Sequence, residues 1–464
     1  MKSLHAETNT CRLIVTRHSA SEILLVHGDT GLAMPRVVID PDQRLAKQLM
    51  ANVSRTWGVE GYCLIIPDLA ACGRDGEPRC AVLESVRQSE IAQAGAVWVP
   101  LVVVNDCVKA TEAELIRNGL QELNASETNE KAGPFVRPGW LAELFRWTQE
   151  RIAPLGLRLT GAFQQLNASP TFSLIRLEAE SQAVWFKATG KPNSHELAVT
   201  LALARLFPAH VPQILGVHPG WNGWLSAEVL GTSLDQTAVF SAWERAAEEL
   251  AELQISSIGK TAELLQTAHA KDHRLPRLAE WIDPFLSRMS DLMAAQEKRS
   301  PAPLIHSELR TLAVGLKESC ALLDSLRLPD TLGHLDFNPG NILVAKDRCV
   351  FLDWAEACVT NPLLTLEYLR EHVARSGIEK AAAGECLAAA YLRPWTSFYS
   401  PNELSRALAL SPLVAVFAYA MANDSWRSVD PVHNPRLAAY FRSLTRRMYR
   451  EAIRVAERSE LCLS

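Results

Sequence analysis

The chain has 464 residues, 48% of them hydrophobic and 21% charged, with a formal net charge of -5. That length exceeds one hydrophobic core and predicts roughly two to four domains, while the mild negative balance argues against a nucleic-acid or anionic-membrane partner. The ten scattered cysteines form no C-x-x-C pair and the nearest two, Cys72 and Cys80, have no histidine beside them, which excludes a zinc site; with no signal-peptide pattern in Met1–Arg12 and no apolar run of about 18 residues, a cytoplasmic protein with reduced thiols is expected.

Arg12–Val15 and Glu22–His27 read as strands, and Gln43–Trp57 as a helix with Leu45, Leu49, Met50 and Val53 at helical spacing, ended by Gly58. Gly61–Ile66 and Ala96–Val104 read as further strands, and the polar run Glu122–Pro134 as a linker. Trp140–Ile152 has the pattern of an amphipathic helix. The segment Gln164–Leu177 predicts a hairpin, Ala183–Ala188 a strand carrying Lys187 near its end, Ser194–Phe207 a helix and Trp224–Leu230 a strand. Beyond Ser241 helical periodicity dominates, in Ala242–Leu253, Pro276–Ala295, Ser307–Ser325, Asn402–Ala422 and Pro435–Glu457, with one β-rich interruption at Gly333–Asp353. The basic cluster Arg446, Arg447 and Arg450 reads as one solvated helix face.

That interruption, GHLDFNPGNILVAKDRCVFLDW, carries the chemistry. Pro339 and Gly340 make the stretch from Asp336 to Asn341 a loop, and the apolar runs Ile342–Val344 and Cys349–Leu352 predict a hairpin. The hairpin returns Asp353 to the loop, so Asp336, Asn341 and Asp353 converge. Phosphoryl transfer needs a carboxylate to orient and deprotonate the attacking hydroxyl, and oxygen ligands to hold Mg²⁺ on the phosphates. One acid plus an amide–acid pair is that set.

The pattern H-x-D-x4-N followed by an apolar-L-D-W run resembles the aminoglycoside phosphotransferase and choline kinase family, relatives of the protein kinases. Leu335 stands where that family has Gly, and Thr365 where it has an Asp. The resemblance implies Asp336 as catalytic base, Asn341 and Asp353 as Mg²⁺ ligands and His334 as a framework residue. It also implies Lys187 on the nucleotide phosphates with Glu196 as its partner, and a hinge in Ser226–Leu234, with Glu228 and Leu230, whose backbone meets the adenine. Asn167–Thr171 lies where a phosphate-covering loop belongs and reads equally as an ordinary hairpin turn. ATP and Mg²⁺ are the implied cofactors, and a small-molecule hydroxyl such as that of an aminoglycoside, amino alcohol or sugar is the acceptor. Glu356, Glu367 and Asp424 are acids able to meet a cationic acceptor, or else solvated surface groups. The alternative is a nucleotide-binding pseudokinase or scaffold, against which the intact Lys187, Asp336, Asn341 and Asp353 set speaks.

The front of the chain is similar to a Nudix domain in Leu32-Ala-Met-Pro-Arg36, the helix Gln43–Trp57, Gly58-Val59 and Trp98-Val-Pro-Leu101. Aligned on Gly58, the catalytic box has Gln43, Asn52, Arg55 and Thr56 where carboxylates must hold Mg²⁺, so the resemblance implies a frame without hydrolase chemistry. An unrelated small α/β domain is the other reading. The whole is expected to be α+β: a Nudix-like domain at 1–125 that packs on the kinase part or self-associates, a linker and helix at 126–159, then a bilobal protein-kinase-like fold with a β-rich lobe at 160–240 and a helical lobe at 241–464.

Overall fold

The computed structural model describes residues 10–17, 20–29, 31–40, 43–67, 79–86, 95–127, 134–378, 382–422 and 424–461. Cys72 and Cys462, most of Met1–Arg12 and residues 128–133 of the expected linker lie outside them. The chain divides into two compact units, one made of Met1–Leu197 with Gln213–Glu228 and the other of Ala198–Pro212 with Val229–Ser464.

The first unit contains two sheets. The front sheet has seven strands: β1 (Thr10–Arg17), β2 (Glu22–Gly28), β3 (Gly31–Ala33), β4 (Arg36–Val38), β5 (Gly61–Ile65), β6 (Arg79–Ser85) and β7 (Ala96–Pro100). Their order is β3-β2-β1-β6-β5, with β4 on β1 and β7 on β2. β1 pairs with β6 in parallel and the other pairings are antiparallel. Alternate residues of β1 serve different cores, as the strand period of two requires. Cys11, Leu13 and Val15 pack with Leu45, Leu49 and Val53 of the helix Leu45–Trp57, whereas Ile14 packs with Ile116, Trp140 and Phe186. Gly58 ends that helix in the left-handed region, at φ 68°.

The strand expected at Ala96–Val104 stops at Pro100 and turns into helical structure. The start of the expected linker is instead the end of a helix, Ala110–Glu127. Its polar last turns hide the periodicity, but Gly119 lets it lie close on β1, where a Cβ would come within 2.5 Å of Ile14 Cδ1.

The second sheet is five-stranded and antiparallel: β8 (Leu159–Ala168), β9 (Phe172–Ala179), β10 (Val184–Thr189), β11 (Ile214–His218) and β12 (Gly223–Ala227), in the order β11-β12-β10-β9-β8. It shares one core with the front sheet. Ile175, Leu177, Phe186 and Leu225 join Ile14, Tyr62, Leu64 and the helix Trp140–Ile152. A buried side-chain clamp reinforces this. Gln165 on β8 accepts from the Cys63 N–H at 2.8 Å and donates to the Cys63 carbonyl at 3.0 Å.

The second unit is mainly helical. Its long helices are Phe240–Ser257, Leu275–Ala294, His306–Ser325, Pro401–Met421 and Pro435–Leu461, close to the periodic segments of the sequence, and it adds Leu363–Arg375 and Ala383–Trp395. Pro401–Met421 is long and apolar enough to cross a membrane by length and composition, yet Leu413, Val414, Phe417 and Ala418 are buried in the core of this unit. Two small sheets hold the middle. One is β13 (Thr232–Ser233), β16 (Ile342–Val344) and β17 (Cys349–Phe351); the other is β14 (Lys271–His273), β18 (Ala357–Thr360) and β15 (Thr331–His334). The first contains the hairpin expected from the sequence, with Ile342 opposite Phe351.

Candidate active site

β15 delivers the chain to the loop that holds Asp336, and its backbone is fastened from below. The Leu332 N–H donates to Ser257 Oγ at 2.8 Å, and Gln254 Nε2 donates to the carbonyls of Leu332 at 3.2 Å and Pro362 at 3.1 Å. Gly333 has no room for a side chain, because a Cβ would meet Thr360 Cγ2 at 2.5 Å. Thr365, which replaces the family's Asp, is buried and its Oγ1 accepts from the His334 N–H at 3.0 Å. A hydroxyl therefore braces the loop there. Leu335, in place of Gly, is buried beneath the loop.

His334 ties the loop to the strand that ends before Asp353. Its Nδ1 accepts from the Asp336 N–H at 3.2 Å and its Nε2 lies 3.0 Å from the Leu352 carbonyl, which fixes a neutral Nε2–H tautomer. The ring rests on Trp354, 4.7 Å between centroids. The Leu352 N–H in turn donates to the Asn341 carbonyl at 2.8 Å. The residues flanking Asp353 are thus fastened to the loop that carries Asp336 and Asn341, and Asp353 itself takes a left-handed conformation with φ 61°. Among the described residues no group of three or more His, Cys, Asp and Glu side chains is placed to hold a metal.

The Asp336 carboxylate is oriented from three sides. Asn338 Nδ2 donates to Oδ1 at 3.3 Å, Asn341 Nδ2 to Oδ2 at 3.4 Å and the Tyr368 hydroxyl to Oδ1 at 3.3 Å. Asn341 Nδ2 also donates to the Asp336 carbonyl at 3.0 Å, so its amide oxygen, the atom able to ligate a cation, points the other way. Burial, then Tyr419 and Asp336, push the Tyr368 hydroxyl well above the usual tyrosine range, so it acts here as a proton donor in a hydrogen bond. The sequence gives no signal for Tyr368, which lies 32 residues past Asp336 on the next helix.

The acids considered for a cationic acceptor all have partners. Glu356 accepts from Lys271 Nζ at 2.5 Å; burial chiefly, with Asp336 and Asp353 adding, raises its pKa, while Lys271 opposes. Glu367 accepts from Arg370 at 2.6 Å and Ser411 at 2.7 Å, and Asp424 accepts from Arg427 at 3.3 Å. Leu335, next to Asp336 in the chain, and Tyr368, which donates to it, line a cavity of about 900 Å³ walled by the helices Leu363–Arg375, Pro401–Met421 and Pro435–Leu461.

In the first unit, Lys187 lies on the central strand β10, opposite Leu174 of β9 and Trp224 of β12. Its Nζ is 2.5 Å from Glu196 Oε1 at the start of the helix Glu196–Leu206, and the Glu196 side chain is 2% exposed. Glu228 is bound by Arg176 at 2.6 and 3.0 Å, a pairing that lowers its pKa, and its N–H donates to the Ala183 carbonyl at 3.3 Å. The chain leaves this unit after Glu228, and Leu230, two residues on, is 82% exposed. In Asn167–Thr171, Ser169 is absorbed by the turn: its N–H donates to the Phe172 carbonyl at 3.0 Å and its Oγ accepts from the Thr171 N–H at 3.3 Å.

The five-stranded sheet carries the Lys187–Glu196 pair, and the helical unit carries the H-x-D-x4-N loop and a hairpin that ends before Asp353. Residues 188–379 match the family model described as the phosphotransferase enzyme family. Among solved structures, the chain is similar to an ethanolamine kinase of Plasmodium vivax at 14% identity and a TM-score of 0.45, covering 65% of this chain and 85% of that one. A choline/ethanolamine kinase family protein of Mesorhizobium loti is 18% identical with a TM-score of 0.44, over 67% and 94% of the two chains. A macrolide 2'-phosphotransferase of Brachybacterium faecium is 16% identical with a TM-score of 0.45, over 63% and 97%. No curated protein matches the chain.

Proposed function

We propose that this protein uses ATP and Mg²⁺ to phosphorylate a hydroxyl of a small molecule. The observation that carries the reading is the Asp336 carboxylate, held by Asn338, Asn341 and Tyr368, the last of which lines a cavity large enough for a metabolite. In this reading Asp336 orients the acceptor hydroxyl and takes its proton. The acceptor oxygen forms a bond to the γ-phosphorus, the bond from that phosphorus to the bridging oxygen breaks, and the electron pair leaves with ADP. Lys187, steadied by Glu196, holds the phosphates, and the backbone around Glu228 and Leu230 receives the base. The Asn341 amide oxygen and the Asp353 carboxylate would hold the metal, which would neutralise phosphate charge.

The front of the chain belongs to the same proposal as a Nudix-like frame without hydrolysis. Its helix offers Asn52, Arg55 and Thr56, and Arg55 donates to Asn52 Oδ1. A cation there opposes Mg²⁺ binding, which leaves packing, substrate presentation or self-association as its role. A cytoplasmic location is supported by the eight described cysteines, all free.

The test is transfer itself. The full chain with ATP and Mg²⁺ is offered hydroxyl compounds of several classes, and phosphorylated product is identified by mass spectrometry. Asp336→Asn is expected to bind ATP and to lose at least ~10²-fold in kcat, as loss of a general base requires. Near-normal turnover by that variant removes Asp336 from the role.

A further inference from the structure

The walls of the cavity beside Asp336 change character along their length. Tyr368 on one helix, Tyr419 on the second and Tyr440 on the third all line it. The rings of Tyr368 and Tyr419 are 5.2 Å apart, and Tyr368 bonds Asp336 at 3.3 Å. The end of the cavity nearest the base is therefore a tyrosine floor. From Tyr368, positions 371, 372 and 375 continue the same helix face; from Tyr440, positions 443, 444, 447, 450 and 454 do so. Both faces end in arginine. At about 1.5 Å per residue, Arg375 lies about 10 Å along its helix from Tyr368, and Arg447 and Arg450 about 10 and 15 Å from Tyr440.

The charge count favours an anion. Five arginines line the cavity against four glutamates. Three of those acids are already engaged: Glu367 by Arg370 at 2.6 Å, Glu451 by Arg454 at 2.6 Å, and Glu371 by Arg375 and Arg447 together. Glu371 thus serves two guanidinium groups, and Arg450, exposed one turn on, pairs with no described acid. The fourth acid, Glu385, is exposed.

Given the kinase reading above, on which this inference rests, we propose that the acceptor is an anionic hydroxyl compound. Arg447 and Arg450 take its carboxylate or phosphate while its hydroxyl reaches the tyrosine end of the cavity at Asp336. A guanidinium is suited to either anion, because its planar fork of donors matches both. A cationic aminoglycoside or amino alcohol meets three acids that are already paired, and arginines that repel it.

One carbon skeleton with four charges tests this: gluconate, glucose phosphate, glucose and glucosamine, each supplied to the full chain with ATP and Mg²⁺. We expect gluconate or glucose phosphate to exceed glucose and glucosamine by at least about tenfold in kcat/KM, and the comparison of the two anions identifies the group recognised. Arg450→Ala is expected to raise KM for the preferred anion about tenfold with kcat nearly unchanged, and Arg450→Lys to restore most of the loss. Preference for glucosamine or glucose, or an Arg450→Ala variant with unaltered KM, overturns the inference and leaves the kinase reading standing. If no compound is turned over, calorimetric titration of gluconate and glucose phosphate decides. Binding that weakens about tenfold in Arg450→Ala supports the anion site and counts against phosphoryl transfer alone; no binding, or equal binding by the variant, overturns the anion site.

Discussion

The Tyr368 hydroxyl donates to Asp336 Oδ1 at 3.3 Å, joining the helix Leu363–Arg375 to the carboxylate proposed as base. Because burial keeps that phenol protonated, the bond orients the carboxylate without competing for the substrate's proton. Tyr368→Phe removes the bond and keeps the ring against Tyr419. A hydrogen bond of about 1 kcal/mol net predicts a kcat about fivefold lower with KM little changed. Steady-state kinetics on the best acceptor measures it; a change confined to KM assigns Tyr368 to acceptor binding instead.

Lys187 and Glu196 form a pair at 2.5 Å in which the acid is nearly fully buried. Lys187→Ala is expected to raise KM for ATP and lower kcat together, since the phosphates lose their cation. Glu196→Gln is expected to do less, because the ammonium remains and only its orientation suffers. Equal losses in the two variants show that Glu196 supports the sheet as well as the lysine; no loss in Lys187→Ala places the phosphates elsewhere.

Asp353 sits at a left-handed residue directly after Leu352, whose N–H and carbonyl are bound by Asn341 and His334. Asp353→Asn removes a charge while keeping that geometry. It is expected to weaken nucleotide binding in the presence of Mg²⁺ and to leave metal-free nucleotide binding unchanged. Titration of a fluorescent nucleotide with and without Mg²⁺ separates the two, and a Mg²⁺-independent effect argues against a ligand role.

His273 at the end of β14 is 1% exposed and its Nδ1 has no hydrogen-bond partner. Burial, with Lys271 adding, lowers its pKa from 6.5 to about 4. A histidine depressed in the folded state favours folding above its unfolded pKa and loses that contribution as protons bind. Stability should therefore fall as pH drops from 6.5 toward about 4, by up to ~3 kcal/mol from this group. His273→Phe is expected to flatten that part of the stability–pH curve in urea titrations; an unchanged slope shows that other groups govern acid unfolding.

Much of this arrangement is legible in the sequence wherever local chemistry decides it. Pro339-Gly340 forces the loop, the two apolar runs pair as a hairpin, and Lys187 falls on a strand. The helix Trp140–Ile152 follows its apolar spacing residue for residue. What escapes is set by distant contacts. β14 and β18 are short strands that pair in parallel, Lys271 opposite Cys358, and gain their place only from the helices around them. Glu122–Glu127 reads as the start of a linker because it is polar, although it ends the helix Ala110–Glu127. Tyr368 and the arginine rim are brought to Asp336 by packing of three helices, and no spacing in the chain announces it.

The clamp between Cys63 and Gln165 shows why the front sheet and the kinase sheet form one compact unit. Gln165 is 1% exposed and satisfies both backbone groups of Cys63, at 2.8 and 3.0 Å, in an interior where water cannot replace it. Gln165→Leu fills the same space but leaves an N–H and a carbonyl unpaired, at about 1–3 kcal/mol for each group. The first unit is therefore expected to lose roughly 2–6 kcal/mol of stability and to melt in a single lower transition, because Ile14, Tyr62, Ile175 and Phe186 share one core. Differential scanning calorimetry reads the outcome. Two separated transitions in the variant, with the sheet that carries Lys187 melting at the wild-type temperature, would show that the front sheet is an independent domain and that the clamp only fastens it.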